Sequence, residues 1–502
     1  MRREIAVVFF GQLAALLALS IVQWHLGALT SDFGFYGQAV WLIGHGHLDP
    51  WSSFLGSAFL HNNAELIIWP LGLLGAPFGG NPFVLLVVQD LALALEGLVA
   101  LVWISEILEQ HTDLKPNARH WLWLLALAAV AFDPWCFQTA MFDFHPASFS
   151  SLFILLASRE LWRGGRWPYF VWAFLLATIG TSGVLAAIGL GISALISARP
   201  RRLFGVAVIA ASTIWVEVLI AHVLIGQGSE IVTKGNGFSY LVPFNHHPGI
   251  SDLLVGMMMH LPAVVQVVAP KLITAVVFLL PVGMIGFLHR LAIGPVLAVF
   301  GPVMLAQSTL LFRLPAAFQI WPVLLLVLVG SVDLLARKTR LQRFEGSSKM
   351  VRRYPSKGWV AGCTTAWATC LTVVSTSVLS TLASSWLAVT PAAAASIASI
   401  AARVPPDAEV ICSQGIVGRF TSRDQLFTVM TARERFPITA RTVYFVLAPN
   451  QGVIQVDPSA TQAMIVWVRD LPDSHVLNSA AGVTVVAWNP PAGTSAVVLS
   501  GR

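Results

Sequence analysis

Side chains able to do acid–base chemistry gather near the ends of apolar segments in the first third of the chain. Asp32 follows the first segment, His61 and Asn62 close the loop after it, and Asp143 and His145 lie between two later segments. A carboxylate can act as general base on a hydroxyl, and an imidazole can orient it or shuttle a proton. We therefore take Asp32, His61 and His145 as catalytic candidates.

The same residue types also suit a divalent cation, because imidazole and carboxylate together bind such metals. Asp32, Asp143 and His145 form the candidate metal set, and no cofactor is firmly indicated. A structural alternative stays open for Asp32. It follows Thr30 and Ser31, so it could instead serve as the N-cap of a following helix.

Candidate substrate-binding residues are spread over the chain. Arg313 lies at a turn before Leu314 and Pro315, where a guanidinium can hold a phosphate with two hydrogen bonds or reach toward lipid headgroups. Lys271 is a weaker candidate of the same kind. Asn62 and Gln38, from the loop after the first segment, complete the set.

The composition shows what must position these residues. Of 502 residues, 56% are hydrophobic and only 11% are charged, against about 25% in soluble proteins. This is the composition of a polytopic membrane protein. The net charge of +6 comes from Lys and Arg between apolar segments, so it indicates topology and not nucleic-acid binding. The four Cys have neither zinc-type nor redox-type spacing.

About eleven apolar segments are long enough to be considered as transmembrane helices. They lie near residues 5–28, 82–108, 120–138, 147–162, 168–182, 184–198, 203–225, 263–288, 291–311, 315–336 and 358–386. Residues 337–357 hold eight Lys or Arg against one Glu, which predicts a cytoplasmic loop. The N-terminus is then inside and the C-terminus outside the bacterial cytoplasmic membrane.

Three parts of the chain fall outside these segments. The external loop 29–63 contains an amphipathic pattern at 35–43 that predicts a surface helix. Residues 64–78 are apolar but too short to span, so we expect them to lie in the interface. A transmembrane part, 1–390, precedes an Ala-rich connector, 391–402, and a small external α/β domain, 403–502. Strands are predicted at 408–412, 443–447, 464–468 and 483–488.

Several motifs together resemble an uncharacterised bacterial family of polytopic membrane proteins, domain of unknown function 2079 (DUF2079). The similarity lies in residues 32–41, in the segment from His61 onward, in Phe-Asp-Phe-His-Pro at 142–146, and in the external stretches 404–410 and 422–424. Members of this family look related to GT-C glycosyltransferases. The resemblance implies a GT-C-like fold, with Asp32 as base and a polyprenyl-phosphate sugar as donor.

This sequence also departs from the family pattern, chiefly at acidic positions. The family's second acid of the first loop is Gly37 here, the Asp before its His is Leu60, the Glu after its His-Pro is Ala147, and its Lys-Glu-Asp motif is 181–183, Thr-Ser-Gly. Of the acids expected in this constellation, Asp32 carries over as the base.

Three functions follow from these observations. The first is a membrane glycosyltransferase that moves a sugar from a lipid-linked donor to a cell-envelope acceptor, with membrane lipid around it. The alternative is a catalytically divergent binding or assembly protein that uses its external domain. The third is a proton-coupled transporter using Asp90, Glu96 and Glu217, although polar side chains within spans also join helices by hydrogen bonds. The sequence does not fix the oligomeric state.

Overall fold

A computed structural model describes most of the chain: residues 1–54, 56–60, 65–112, 114–165, 167–197, 202–218, 238–241, 250–307, 321–344, 357–385, 388–452 and 456–501. The fold is mostly helical and ends in a small sheet domain. The helices up to residue 385 are α1 (Arg2–Leu26), α2 (Ser31–Gly44), α3 (Ile68–Gly75), α4 (Phe83–Gln110), α5 (Pro116–Ala131), α6 (Pro134–Met141), α7 (Ser150–Arg163), α8 (Trp167–Ala177), α9 (Thr181–Ile196), α10 (Arg202–Val218), α11 (Ile250–Met259), α12 (Leu261–Leu279), α13 (Ile293–Leu305), α14 (Leu324–Phe344) and α15 (Lys357–Ser385).

Among the described residues, four helical segments are long and apolar enough to cross a membrane. They are Arg2–Leu26, Phe83–Gln110, Pro116–Met141 and Leu261–Val282. Helices suit this role because they satisfy every backbone hydrogen bond internally, where lipid offers no partner. Several shorter apolar helices accompany them, including α8, α9 and α13. The total of eleven spans and the orientation stay predictions.

One predicted segment differs in detail from the observed helices, and another is short, as expected. The segment predicted at 120–138 is divided between α5 and α6 at Asp133, whose carboxylate accepts from the amides of Trp135 and Cys136 and so caps α6. The stretch 64–78 contains α3, which is only eight residues long. At 1.5 Å per residue α3 extends about 12 Å, much less than the hydrocarbon core of a bilayer.

The predicted first-loop helix is present, but it is buried and not on the surface. Helix α1 ends at Gly27 in the left-handed conformation, and α2 begins after Thr30. Eleven of the 14 residues of α2 are buried, because the helix is enclosed between the transmembrane part and the sheet domain. Thr30 is the N-cap, since its hydroxyl accepts from the amide of Asp32. Asp32 is therefore not the N-cap of this helix, and that alternative is wrong.

The sheet domain contains one five-stranded mixed sheet and one two-stranded ribbon. Short strands β1 (Trp51–Ser52) and β2 (Ser57–Ala58) pair in the first loop, before this domain. Its own strands are β3 (Glu409–Ser413), β4 (Leu426–Val429), β5 (Arg433–Pro437), β6 (Val443–Leu447), β7 (Ser474–Ala480), β8 (Val483–Trp488) and β9 (Ala496–Ser500). The large sheet has the order β4-β3-β6-β8-β7, with β3 parallel to β4 and β6 and the other pairs antiparallel. The ribbon pairs β5 with β9.

One segment predicted as a strand is helical, and the connector before the domain also forms a helix. The strand predicted at 464–468 is part of helix α17 (Pro458–Arg469), because Asp457 caps its N-terminus and the buried Met464, Ile465 and Val468 follow helical spacing. The Ala-rich connector forms helix α16 (Pro391–Ala401), whose buried face belongs to the core of the domain.

The sheet domain docks onto α2 through a short helical segment, Gln414–Phe420, and the turn that follows it. Small residues make the approach close: a Cβ added to Gly37 would lie 2.9 Å from Cγ2 of Thr421. The amide of Gly418 also donates to the carbonyl of Leu29, at 3.0 Å. The two parts of the chain thus form a packed interface, called the joint below, in which α2 contacts Gln414–Phe420 and Thr421.

Candidate functional site

A cavity of ≈ 780 Å³ lies between the helices and the sheet domain. Its polar end contains Asp32 from α2 and His145, which precedes the short helical turn Pro146–Phe149. Its apolar wall comes from α9 and α13, and its third wall comes from β4, β5 and the turn between them. The cavity therefore joins apolar helix surface to polar groups at the joint of the two parts.

Asp32 and His145 are paired at the polar end. Nε2 of His145 donates to Oδ2 of Asp32 at 3.1 Å. The His145 side chain is 7% exposed, whereas that of Asp32 is 44% exposed, so the carboxylate keeps a face open to the cavity. Such a pair can hold a carboxylate in position to accept a proton from a bound hydroxyl.

The position of His145 is set by its neighbours. Its amide donates to Oε1 of Gln89 in α4 at 3.0 Å, and Nε2 of Gln89 donates to the carbonyl of Asp143 at 2.8 Å. The imidazole stacks on Phe142, with ring centroids 5.1 Å apart, and meets the Tyr36 ring edge-on. A single glutamine of α4 therefore braces the whole segment that carries the histidine.

Asp143 does not line the cavity, and its carboxylate hydrogen-bonds to the end of α1 and to the residue before α2. Its Oδ2 accepts from the amide of Thr30 at 2.8 Å and from the Thr30 hydroxyl at 2.5 Å, and its Oδ1 accepts from Nε2 of Gln23. Its φ of 95° is a conformation that non-glycine residues seldom adopt. The pKa of Asp143 is raised to about 8: burial raises it most, the hydrogen bonds from Thr30 partly offset this, and the nearby charge of Asp32 raises it further.

A second acidic group lies at the cavity and was missed by the sequence analysis. The Tyr36 hydroxyl donates to Oε1 of Glu65 at 3.0 Å, and both residues line the cavity. Glu65 is buried, with 7% exposure. The available signal was a carboxylate at the start of the apolar stretch 64–78, since ionisable residues in such segments are functional candidates by default.

Gln38 lies in the joint and does not line the cavity. Its Nε2 donates to the Ser53 hydroxyl at 2.8 Å and to the carbonyls of Arg423 and Asp424, and its Oε1 accepts from Ser53. The carboxamide thus connects the first loop to the turn before β4. Two stretches that carried the family resemblance, 32–41 and 422–424, meet here.

Lys271 of α12 binds the carbonyls at the end of α13. Its Nζ donates to the carbonyls of Val303 at 3.3 Å, Met304 at 3.0 Å and Ala306. Val303 and Ala306 line the cavity, whereas Lys271 itself does not. The other sequence candidates, His61, Asn62 and Arg313, lie outside the described residues.

The carboxylates at this site do not form a metal-binding set in the part of the chain that the structure describes. No group of three or more His, Cys, Asp or Glu residues there could hold a metal ion. Asp32 and His145 contact each other, but both oxygens of Asp143 accept from Thr30 and Gln23.

Several residues at which this sequence departs from the family pattern line this cavity. Ala147, Thr181 and Ser182 all line it, so two positions where the resemblance implies Glu (147 and 182) and one where it implies Lys (181) carry uncharged side chains. Gly37 instead packs against the sheet domain. The buried Asp90 and Glu96 lie in α4 and do not line the cavity, and Glu217 belongs to α10.

Comparison with known proteins gives one family and a weak structural likeness. The chain is similar to ArnT from Cupriavidus metallidurans, in a crystal structure bound to undecaprenyl phosphate (13% identity, TM-score 0.47, covering 98% of this chain and 99% of that chain). The apo ArnT structure gives 13% identity and a TM-score of 0.48, with 95% and 98% covered. No curated protein sequence matches.

The family model described as "Predicted membrane protein (DUF2079)" matches residues 22–463. This range includes α2, the Asp32–His145 pair and all strands up to β6. The resemblance inferred from the motifs is thereby confirmed, and the chain belongs to the DUF2079 family of predicted membrane proteins.

Proposed function

We propose that the protein is a GT-C-like membrane glycosyltransferase that moves a sugar from a polyprenyl-phosphate donor to a cell-envelope acceptor. The observation that carries the proposal is the Asp32–His145 pair, which opens into a cavity bounded by both apolar helices and the sheet domain. An amphiphilic donor needs both kinds of surface. The donor class itself follows from the resemblance to GT-C enzymes.

Asp32 and His145 have different roles in the proposed reaction. The Asp32 carboxylate takes the proton of the acceptor hydroxyl as its oxygen attacks the anomeric carbon of the sugar. The bond from that carbon to the phosphate oxygen breaks, and the polyprenyl phosphate leaves with the bonding electrons. His145 acts as a positioning residue, because its donated hydrogen bond fixes the carboxylate toward the cavity.

The proposed setting is the bacterial cytoplasmic membrane. The basic stretch 337–357 favours a cytoplasmic position for that loop, which gives an inside N-terminus, about eleven spans and an external sheet domain. Asp32 and the cavity then lie on the outer face, where an envelope acceptor is available. Arg313 remains a candidate for holding the donor phosphate.

The test replaces Asp32 with Asn in the purified full-length protein. A set of polyprenyl-phosphate sugars is offered with extracted cell envelope, and released polyprenyl phosphate is measured. We expect Asp32→Asn to lower release by about 100-fold or more, since positioned acid–base groups contribute 10²–10⁴. Asp49→Asn, at an exposed aspartate after α2, is the matched control and should keep full activity.

Folding of both variants is checked by size-exclusion profile and melting temperature. Full activity of a well-folded Asp32→Asn protein would disprove the assignment of the base.

A divergent binding or assembly function is the second candidate, and one observation favours it. The cavity carries Ala147, Thr181 and Ser182 where the resemblance leads one to expect charged residues. Such a protein would release no polyprenyl phosphate from any donor and would copurify with an envelope protein. Loss of that partner on deletion of residues 403–502 would then support assembly over catalysis.

A further inference from the structure

The sheet domain supplies a cationic group to the wall of the cavity. Arg435 of β5 lines the cavity and is exposed. Among the described lining residues, it is the only Lys or Arg. The strand holds its backbone firmly, since β5 pairs along its length with β9 and Arg435 lies opposite Val498.

The carboxylate of Glu434, the residue before Arg435, already accepts hydrogen bonds from the backbone. Oε2 of Glu434 accepts from the amides of Met430 at 2.8 Å and Thr431 at 3.2 Å, so it closes the turn between β4 and β5. Within the described part of the chain, no ion pair joins Arg435 to an acid. Its guanidinium is therefore available to an anion in the cavity.

An apolar wall completes the environment. Leu185 of α9 and Val299 and Pro302 of α13 line the cavity, and Leu185 is 37% exposed. Helices α9 and α13 pack closely, since a Cβ at Gly189 would lie 2.7 Å from the carbonyl oxygen of Gly294. Among the described residues, the lining of the cavity thus combines apolar side chains of both helices with the guanidinium of Arg435.

We propose that Arg435 binds the phosphate of the polyprenyl-phosphate donor, whose chain lies along α9 and α13. Guanidinium groups match phosphate because two of their N–H groups can bind two oxygens at once. The sheet domain then forms part of the donor site and is more than a separate external module. This inference rests on the proposed glycosyltransferase function and extends it.

The experiment measures binding of a fluorescent polyprenyl monophosphate to the full-length protein in nanodiscs of neutral phosphatidylcholine. The corresponding polyprenol, which lacks the phosphate, is the chemical control. Arg433→Gln is the matched protein control, because Arg433 is exposed on the same strand but does not line the cavity. Arg435→Gln should weaken binding of the phosphate by about 10- to 100-fold, as expected for a lost charge-assisted hydrogen bond.

Arg433→Gln should bind the phosphate like the unmodified protein, and polyprenol binding should be the same for all three. Unchanged phosphate binding by Arg435→Gln would overturn the inference. Equal competition by phosphatidylglycerol would also overturn it, because the site would then recognise bulk headgroups and not the donor.

The two proposals fail in distinguishable ways. If Arg435→Gln binds normally while Asp32→Asn abolishes transfer, the phosphate site is wrong and the glycosyltransferase stands. If Arg435→Gln loses binding while Asp32→Asn keeps full transfer, the phosphate site stands and the assigned base is wrong.

Discussion

Replacing Gly37 with Ala tests whether the sheet domain positions the helix that carries Asp32. Gly37 lies inside α2, on the side that faces the sheet domain. An added Cβ would lie 2.9 Å from Cγ2, 3.1 Å from Cβ and 3.2 Å from Oγ1 of Thr421. Thr421 is 1% exposed, so its side chain has little room to move away.

Two opposing free-energy changes determine the result. Ala is favoured over Gly inside a helix by about 1 kcal/mol. Overpacking a closely packed contact costs about 1–3 kcal/mol. We therefore expect Gly37→Ala to lower the free energy of unfolding by up to about 2 kcal/mol. Adding Thr421→Ser removes the methyl group at 2.9 Å and should restore stability, giving a favourable coupling of about 1–2 kcal/mol.

The assay is the melting temperature of each purified variant, followed by the transfer assay. Gly11→Ala in α1 is the matched control, because a Cβ there would meet nothing within 4 Å. It should melt at or above the temperature of the unmodified protein. If Gly37→Ala melts as high as Gly11→Ala, or if Thr421→Ser adds no recovery, the close approach of α2 to the sheet domain does not constrain the protein.

Two other predictions concern buried polar groups. The raised pKa of Asp143, about 8 against an ordinary value near 3.9, means that folding favours its protonated form; stability should fall as pH rises from about 4 to 8 and level off above it. Asp143→Asn should flatten this slope in melting temperatures measured from low to high pH, and an unchanged slope would contradict the cause given. Lys271→Met should lower the free energy of unfolding by about 1–3 kcal/mol, because the carbonyls of Val303 and Met304 lose a buried donor; an unchanged melting temperature would show that Lys271 is dispensable there.

The sequence predicted the parts of the site that carry unusual residue types. Asp32, Asp143 and His145 were identified because ionisable side chains beside apolar segments are costly and rare. The helix at 35–43 and the strands at 443–447 and 483–488 were found through periodicity and apolar runs. These signals are local, so they survive without knowledge of the fold.

Contacts between distant segments could not be predicted in this way. The role of Gln38 depends on carbonyl groups of Arg423 and Asp424, nearly four hundred residues later. The cavity wall contributed by Arg435 depends on the pairing of β5 with β9. The burial of α2 depends likewise on the docking of the sheet domain, which changes an amphipathic pattern from a surface helix into an enclosed one.

The place of α2 explains why a family acid cannot simply be restored at Gly37. One side of this helix presents Asp32 to the cavity, and the other packs against Thr421. A carboxylate at position 37 would enter the joint, where burying an unpaired charge is costly. By contrast, Thr181 and Ser182 line the cavity itself, so an acid there would face the same space as Asp32. Close packing against Thr421 thus accounts for Gly37, whereas no such packing constraint applies to side chains at 181 and 182 that line the cavity.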